Sequence, residues 1–151
     1  MISHIKLSTI IIMSLFYIGV GFAHFISPEK FLLIMPPYLP FHLELIYISG
    51  FVEILLGLLL LIKRFRFFAG FGLIILLIFV FPANIYLYTS DFARDAYGQI
   101  SQTDALIRMF FQLPLIMIAY WHSQKNTSKK TSYLYTFLSV ITILDFGYIL
   151  F

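Results

Sequence analysis

Residues 46–63 read IYISGFVEILLGLLLLIK, a stretch apolar enough to cross a membrane, and a single carboxylate, Glu53, lies near its middle. About 20 apolar residues in a helix span the hydrocarbon core of a bilayer. A charged side chain at the bilayer centre costs about 2.5–3.5 kcal/mol even on a lenient insertion scale. Glu53 is therefore a candidate functional residue. The alternative is a protonated packing residue that hydrogen-bonds to Tyr17 or Gln112.

The whole chain has the composition of a membrane protein. Of its 151 residues, 61% are hydrophobic and 11% are charged, whereas a soluble domain carries about 25% charged residues. The chain has no cysteine, which excludes disulfides and iron–sulfur clusters held by its own thiolates. The net charge of +3 comes from short basic clusters between apolar runs, a pattern that favours membrane topology over nucleic-acid binding.

Five apolar runs predict five transmembrane helices, because lipid offers no partner for backbone hydrogen bonds. We expect an all-α integral membrane bundle, with four helices in residues 1–125 and a basic loop plus a fifth helix in residues 126–151. The first run is interpreted as an uncleaved helix, since no signal-peptidase site follows it. The predicted spans are Leu7–Phe25, Leu43–Ile62, Phe67–Tyr88, Ala105–Trp121 and Tyr133–Phe151.

Basic residues are unevenly divided between the two ends of these spans. Three lie at one end, Lys30, Arg94 and Arg108. Seven lie at the other, Lys6, Lys63, Arg64, Arg66, Lys125, Lys129 and Lys130. The positive-inside rule predicts a multi-pass protein of the cell membrane with a cytoplasmic N-terminus and, for five spans, an external C-terminus.

Helix rise from the midpoint of each span places the intramembrane polar residues in the middle and outer parts of the bundle, and almost none in the cytoplasmic half. The same rise separates His24 from Glu53 by about 10 Å along the membrane normal. Gly50 and Gly57 share a helix face with Glu53, which lets a neighbouring backbone approach. We expect an outward-facing ligand-binding cavity lined by Tyr17, His24, Ser49, Glu53, Asn84 and Gln112.

Other features at the outer end carry structural expectations. Residues 27–42 contain PEK and PPYLP, which predict an extended loop with a short interfacial segment over the mouth of the bundle. Pro82 is expected to kink its helix and to turn Asn84 inward. We expect no metal site, and haem is disfavoured because it would need a second ligand opposite His24. Arg108 is expected to pair with a carboxylate such as Asp104, Glu44 or Asp145.

Four motifs follow one another between Gly21 and about Trp121: GFAHF with Pro28 and PPYLP, then ISGFVEILLG, FPANIY and FFQLPL. In this order they resemble the DoxX-like family of small membrane proteins. The chain departs from the family at FFQLPL, where an Arg-Leu-Pro-Leu-Gln order is expected, and in its fifth span. The resemblance implies a four-helix bundle with motif positions at His24, Pro28, Pro36, Pro40, Gly50, Glu53, Gly57, Pro82, Asn84, Gln112 and Pro114.

The family resemblance further implies a subunit of a membrane redox complex or an assembly factor. The residues leave three functions open. The first is an accessory subunit that binds a quinone or a lipid-like amphiphile through Glu53, Asn84 and His24. The second is a scaffold that contacts a protein partner or a second copy of itself. The third, a proton-coupled transporter, is disfavoured because the chain has no internal repeat. Since the sequence provides no redox or catalytic centre, it assigns no cofactor; quinone is the one candidate, and the chain alone is not expected to be an enzyme.

Overall fold

The computed structural model describes residues 2–125 and 128–150, with side chains described for 4–125 and 128–144. The long helices coincide with the predicted spans to within a few residues at each end, which confirms the all-α prediction. The helices are α1 Ile2–Ile26, α2 Pro28–Leu32, α3 His42–Leu61, α4 Arg66–Thr89, α5 Asp91–Ala96, α6 Gln102–Ser123 and α7 Lys129–Leu150.

Within the described residues, four helices, α1, α3, α4 and α6, are long and apolar enough to cross a membrane. This agrees with a multi-pass protein in a lipid bilayer. The helix α7 packs against α1 and α6, and its role as a fifth span stays a prediction. The side chain of Asp145 lies outside the described residues.

The long helices pack in a ring. The closest pairs are α1 with α3 and α4 with α6, and the ring is completed by α3 with α4, α6 with α7 and α7 with α1. We call the end where α1 and α4 begin the basic end, since it carries the seven basic residues named above, and the opposite end the lid end. The apolar core includes Ile10, Met13, Leu60, Leu73, Leu77, Leu115 and Ile118.

Glycines allow α1 and α3 to approach each other closely. A Cβ atom added at Gly21 would lie 2.7 Å from the carbonyl oxygen of Gly50, and one added at Gly50 would lie 2.6 Å from Cβ of His24. A Cβ at Gly57 would lie 3.0 Å from the carbonyl oxygen of Ser14. Real Cβ contacts of this length are strongly repulsive, so the glycines set the spacing of the two helices, as predicted for Gly50 and Gly57.

The connector between α1 and α3 covers the lid end, but it is less extended than predicted. Pro28 occupies the first turn of α2, where the missing N–H of proline costs no helical hydrogen bond. Beyond α2 the chain runs in turns, and Ile34 is buried against Leu87 and Ala105 in a second apolar cluster.

Gly21→Ala should destabilise the protein by about 1–3 kcal/mol, because its methyl group must displace the backbone of α3. Gly19→Ala, two residues earlier on α1, is the matched control, since nothing lies within 4 Å of a Cβ at that position. Thermal unfolding in a mild detergent measures both. Equal melting temperatures for the two variants would contradict the close approach of α1 and α3.

Candidate functional site

Three polar side chains meet where α1 crosses α3. Nδ1 of His24 lies 3.5 Å from Oε2 of Glu53 and 2.8 Å from the carbonyl oxygen of Val20, to which it donates a hydrogen bond. Tyr17 is buried two turns before His24 on the same face of α1. A charge on Glu53 would act electrostatically on the Tyr17 hydroxyl. The structure thus brings His24 and Glu53 together, with Tyr17 buried on the same face of α1.

The predicted separation of about 10 Å between His24 and Glu53 from helix rise is wrong. The cause lies in the antiparallel packing of α1 and α3. Cα–Cβ bonds tilt toward the N-terminus of a helix, so side chains on antiparallel helices lean toward each other. The absence of a side chain at Gly50 also lets His24 sit against the backbone of α3, one turn before Glu53.

Two atoms in this group have no hydrogen-bond partner among the described residues. They are Oη of Tyr17 and Oε2 of Glu53, and both are buried. The His24–Glu53 distance is longer than a normal hydrogen bond. A buried polar group left unsatisfied costs about 1–3 kcal/mol. The group therefore contains two positions at which a bound polar molecule would gain hydrogen bonds.

The short helix α2 covers this group. The ring of Phe31 is stacked on the imidazole of His24, with 3.7 Å between ring centroids and 21° between ring planes. Because Nδ1 of His24 donates to Val20, the neutral imidazole presents Nε2 as an acceptor, an assignment made from the hydrogen bonds. Phe31 thus covers the flat face of the His24 imidazole, next to the acceptor nitrogen Nε2.

A second polar group joins α4 to α6. The amide of Asn84 donates to Oε1 of Gln112 over 2.5 Å, and the amide of Gln112 donates to the carbonyl oxygen of Leu77. Pro82 lies inside α4 and removes the N–H that would bond the carbonyl of Ile78. Asn84 turns inward as expected. The carbonyl that Gln112 bonds, that of Leu77, lies one residue before Ile78 in α4.

The predicted site residues fall into separate groups. Ser49 donates to the carbonyl oxygen of Ile46 on its own helix. Among the described residues no hydrogen bond joins the α1–α3 group to the α4–α6 group. The single cavity that these residues were expected to line stays a prediction. The first group has unused hydrogen-bonding atoms, whereas Asn84 and Gln112 bond each other.

The two arginines near the lid end have different partners. Buried Arg94 donates to the carbonyl oxygens of Leu87 and Tyr88 and pairs with Asp91, which satisfies the C-terminal end of α4. Arg108 donates to the hydroxyl of Tyr97 over 2.9 Å.

The predicted pairing of Arg108 with a carboxylate stays a prediction. Asp104 completes a capping box with Ser101 at the start of α6, Glu44 is exposed, and the side chain of Asp145 is not described. The sequence did not predict the Tyr97 hydroxyl as a partner, because its spacing does not show that the residue after α5 lies beside Arg108.

The prediction that the basic half holds almost no polar residues is wrong. Oγ1 of Thr9 lies 3.2 Å from Nε2 of His122, and both side chains are buried. Nζ of Lys6 donates to the carbonyl oxygen of Gln124 over 2.6 Å. The helix period contained this signal, since Thr9 precedes Met13 and Tyr17 at intervals of four on the inner face of α1.

Two cavities are described, and both involve α4 and α6. One, of about 120 Å³, is an apolar groove beside Gln112. The other, of about 620 Å³, opens at the basic end and is lined by Arg64, Phe67, Phe68, Ser123, Gln124 and Lys125.

The comparisons with known proteins identify a family and no function. A family model described as a domain of unknown function, DUF8561, matches residues 13–123. That range contains every predicted site residue and all four motifs of the DoxX-like resemblance, and it ends with α6. No curated protein and no solved structure matches the chain, and the DoxX-like resemblance stays a prediction.

A double-mutant cycle on Asn84→Leu and Gln112→Leu should give a coupling free energy of about 0.6–1.7 kcal/mol, the range found for hydrogen bonds between membrane helices. Each single variant leaves its partner amide unsatisfied, which the double variant relieves. The control cycle pairs Asn84→Leu with Ser49→Ala and should show no coupling, since these residues share no contact. Unfolding in detergent measures both cycles. Additive effects for Asn84 and Gln112 would contradict the hydrogen bond.

Proposed function

As the chain belongs to the DUF8561 family, whose function is unknown, we propose that it is a membrane-embedded binding subunit with its site at Tyr17, His24 and Glu53. The ligand class is a small amphiphile with a flat, carbonyl-bearing head, such as a quinone. The observation that carries the proposal is the pair of buried, unpartnered oxygens, Tyr17 Oη and Glu53 Oε2, on facing helices.

The chemistry of the group suits a carbonyl ligand. The Tyr17 hydroxyl and a protonated Glu53 are both donors, and a quinone carbonyl accepts hydrogen bonds. The side chains of His24 and Glu53 are only 8% and 12% exposed. Hydrogen bonds formed there would be made away from water, where an unsatisfied group is costly and a satisfied one is therefore favourable.

The stacking of Phe31 on His24 supports a planar ligand. An aromatic ring already lies 3.7 Å from the imidazole, so the imidazole face accepts a flat ring. In the proposed complex α2 moves and the head of the ligand replaces Phe31. Phe25 and Tyr47 stack on each other across the same crossing, and half-exposed Phe25 offers an apolar edge along which a tail would reach the lipid.

In this proposal the protein binds and orients the amphiphile, and electron transfer belongs to a partner. The role follows the DoxX-like resemblance, which implies membership in a membrane redox complex. The side chains of the site supply hydrogen bonds, an aromatic surface and exclusion of water. An external opening of the site follows from the predicted orientation.

Glu53→Leu should lower the affinity for decylubiquinone at least tenfold, because the side chain that donates a hydrogen bond to a quinone carbonyl is lost. Glu53→Gln should retain most of the affinity, since an amide also donates. Native mass spectrometry and titration in detergent measure both, with Glu44→Leu, an exposed carboxylate on the same helix, as the control.

Stability distinguishes a binding residue from a packing residue at the same position. Oε2 of Glu53 is unpartnered, so Glu53→Leu should leave the melting temperature unchanged or raised. Loss of stability in Glu53→Leu, or a wild-type protein that does not bind the quinone, would reject the proposed site and favour the packing role.

A second candidate function, an assembly factor, is favoured by the surface of the connector. Tyr38 and Phe41 are 71% and 72% exposed, although both are aromatic. Phe41 also has a φ of 55°, in the left-handed region that bulky residues rarely adopt. An exposed aromatic side chain held in a strained backbone is consistent with docking of a protein partner at the lid end.

Phe41→Gly should be more stable than Phe41→Ala by about 1 kcal/mol, because glycine adopts the left-handed conformation without the Cβ repulsion. The two variants remove the same aromatic ring, so their difference isolates the backbone. Melting in detergent measures it, and equal stability would contradict the strain. For the assembly role, both variants should lose a partner that co-purifies from native membranes with the wild type.

A further inference from the structure

We propose that the 620 Å³ cavity at the basic end binds the phosphate head of an anionic phospholipid. This site lies at the opposite end of the bundle from the Tyr17–His24–Glu53 group and does not depend on the function proposed above. Its cations come from two loops that are distant in sequence, Arg64 from the α3–α4 turn and Lys125 from the segment after α6.

The packing of α4 on α6 holds together the two elements that line the cavity. A Cβ atom at Gly70 would lie 2.7 Å from the carbonyl oxygen of Ala119 and 2.7 Å from Cβ of Ser123. This contact holds the start of α4 beside the last turn of α6. Ser123 and Gln124 add polar residues to a lining that also contains the two cations.

Charge identifies the occupant. The basic end carries seven cations, and none of the seven acidic residues of the chain lies in residues 1–28, 54–90 or 105–144, the ranges that contain these cations. Arg66 is engaged with the carbonyl oxygens of Leu60 and Leu61 at the end of α3. Among the described residues neither Arg64 nor Lys125 forms an ion pair, so the cavity has positive charge without a counterion.

The apolar part of the cavity suits a lipid rather than a free anion. Phe67 and Phe68 are 50% and 67% exposed, and both lie in the first turn of a helix that is apolar enough to span a membrane. A head group between Arg64 and Lys125 would therefore have its acyl chains beside two phenyl rings. Basic residues near a membrane surface each favour an anionic lipid by several-fold.

The test measures retention of lipid by the purified full chain. Native mass spectrometry follows binding of phosphatidylglycerol and of phosphatidylcholine to protein in mild detergent. The wild type should prefer phosphatidylglycerol, and Arg64→Ala with Lys125→Ala should weaken its binding roughly tenfold. The control is Lys63→Ala with Lys129→Ala, which removes the same charge from exposed residues outside the cavity lining and should weaken binding clearly less than the cavity pair does.

A third arm separates a lipid from a soluble phosphate. Excess glycerol 1-phosphate should leave the bound phosphatidylglycerol in place, because it lacks the acyl chains that contact Phe67 and Phe68. Displacement by glycerol phosphate would assign the cavity to a soluble phosphate instead. Equal losses in the two double variants would show only a general surface potential, and absence of a lipid preference in the wild type would remove the site altogether. Either result overturns the proposal.

Discussion

The close approach of α1 and α3 is the constraint on which the rest of the structure depends. Side chains are absent at Gly21, Gly50 and Gly57, so the two backbones meet with no intervening atoms. Lipid does not drive helices together through the hydrophobic effect, and small residues with dispersion contacts hold them instead. This spacing brings His24 to Glu53 and closes the crossing around both. A polar group that would be exposed between loosely packed helices is thereby held away from lipid.

Two classes of polar side chain follow from this packing. Asn84 and Gln112 are bonded to each other and to a backbone carbonyl beside Pro82, so they offset the cost of their own burial. Tyr17 and Glu53 keep unpartnered oxygens, and the fold gains nothing from them that a pair of apolar residues would not supply. A buried polar group without a partner requires an explanation, and the binding function proposed above supplies one for Tyr17 and Glu53.

Much of the fold could be predicted, because five apolar runs separated by basic or proline-rich segments leave a membrane protein few alternatives to helices. Several residues with inward polar groups could also be predicted, since polar side chains rarely face lipid, although Thr9 and His122 in the basic half were not among them. Which of these side chains hydrogen-bond to each other could not be predicted. Whether Gln112 bonds Glu53 or Asn84 depends on the rotation of each helix about its axis, and a rotation of one residue redirects the side chain by about 100°. Likewise, side chains on antiparallel helices tilt toward each other. His24 and Glu53 are therefore neighbours, although helix rise alone predicted that they lie far apart along the membrane normal.

The two ends of the bundle lack different kinds of partner. At the α1–α3 crossing a phenol and a carboxyl have unpartnered oxygens, which a molecule with hydrogen-bonding oxygens would satisfy. At the basic end the uncompensated groups are cations in an open cavity at the limit of the apolar helices, which call for an anion at the membrane surface. Charge is screened in water but remains effective near a bilayer of low dielectric constant. The two proposed sites share no residue, so the amphiphile proposed for the α1–α3 crossing and the lipid proposed for the basic end would not compete for the same side chains.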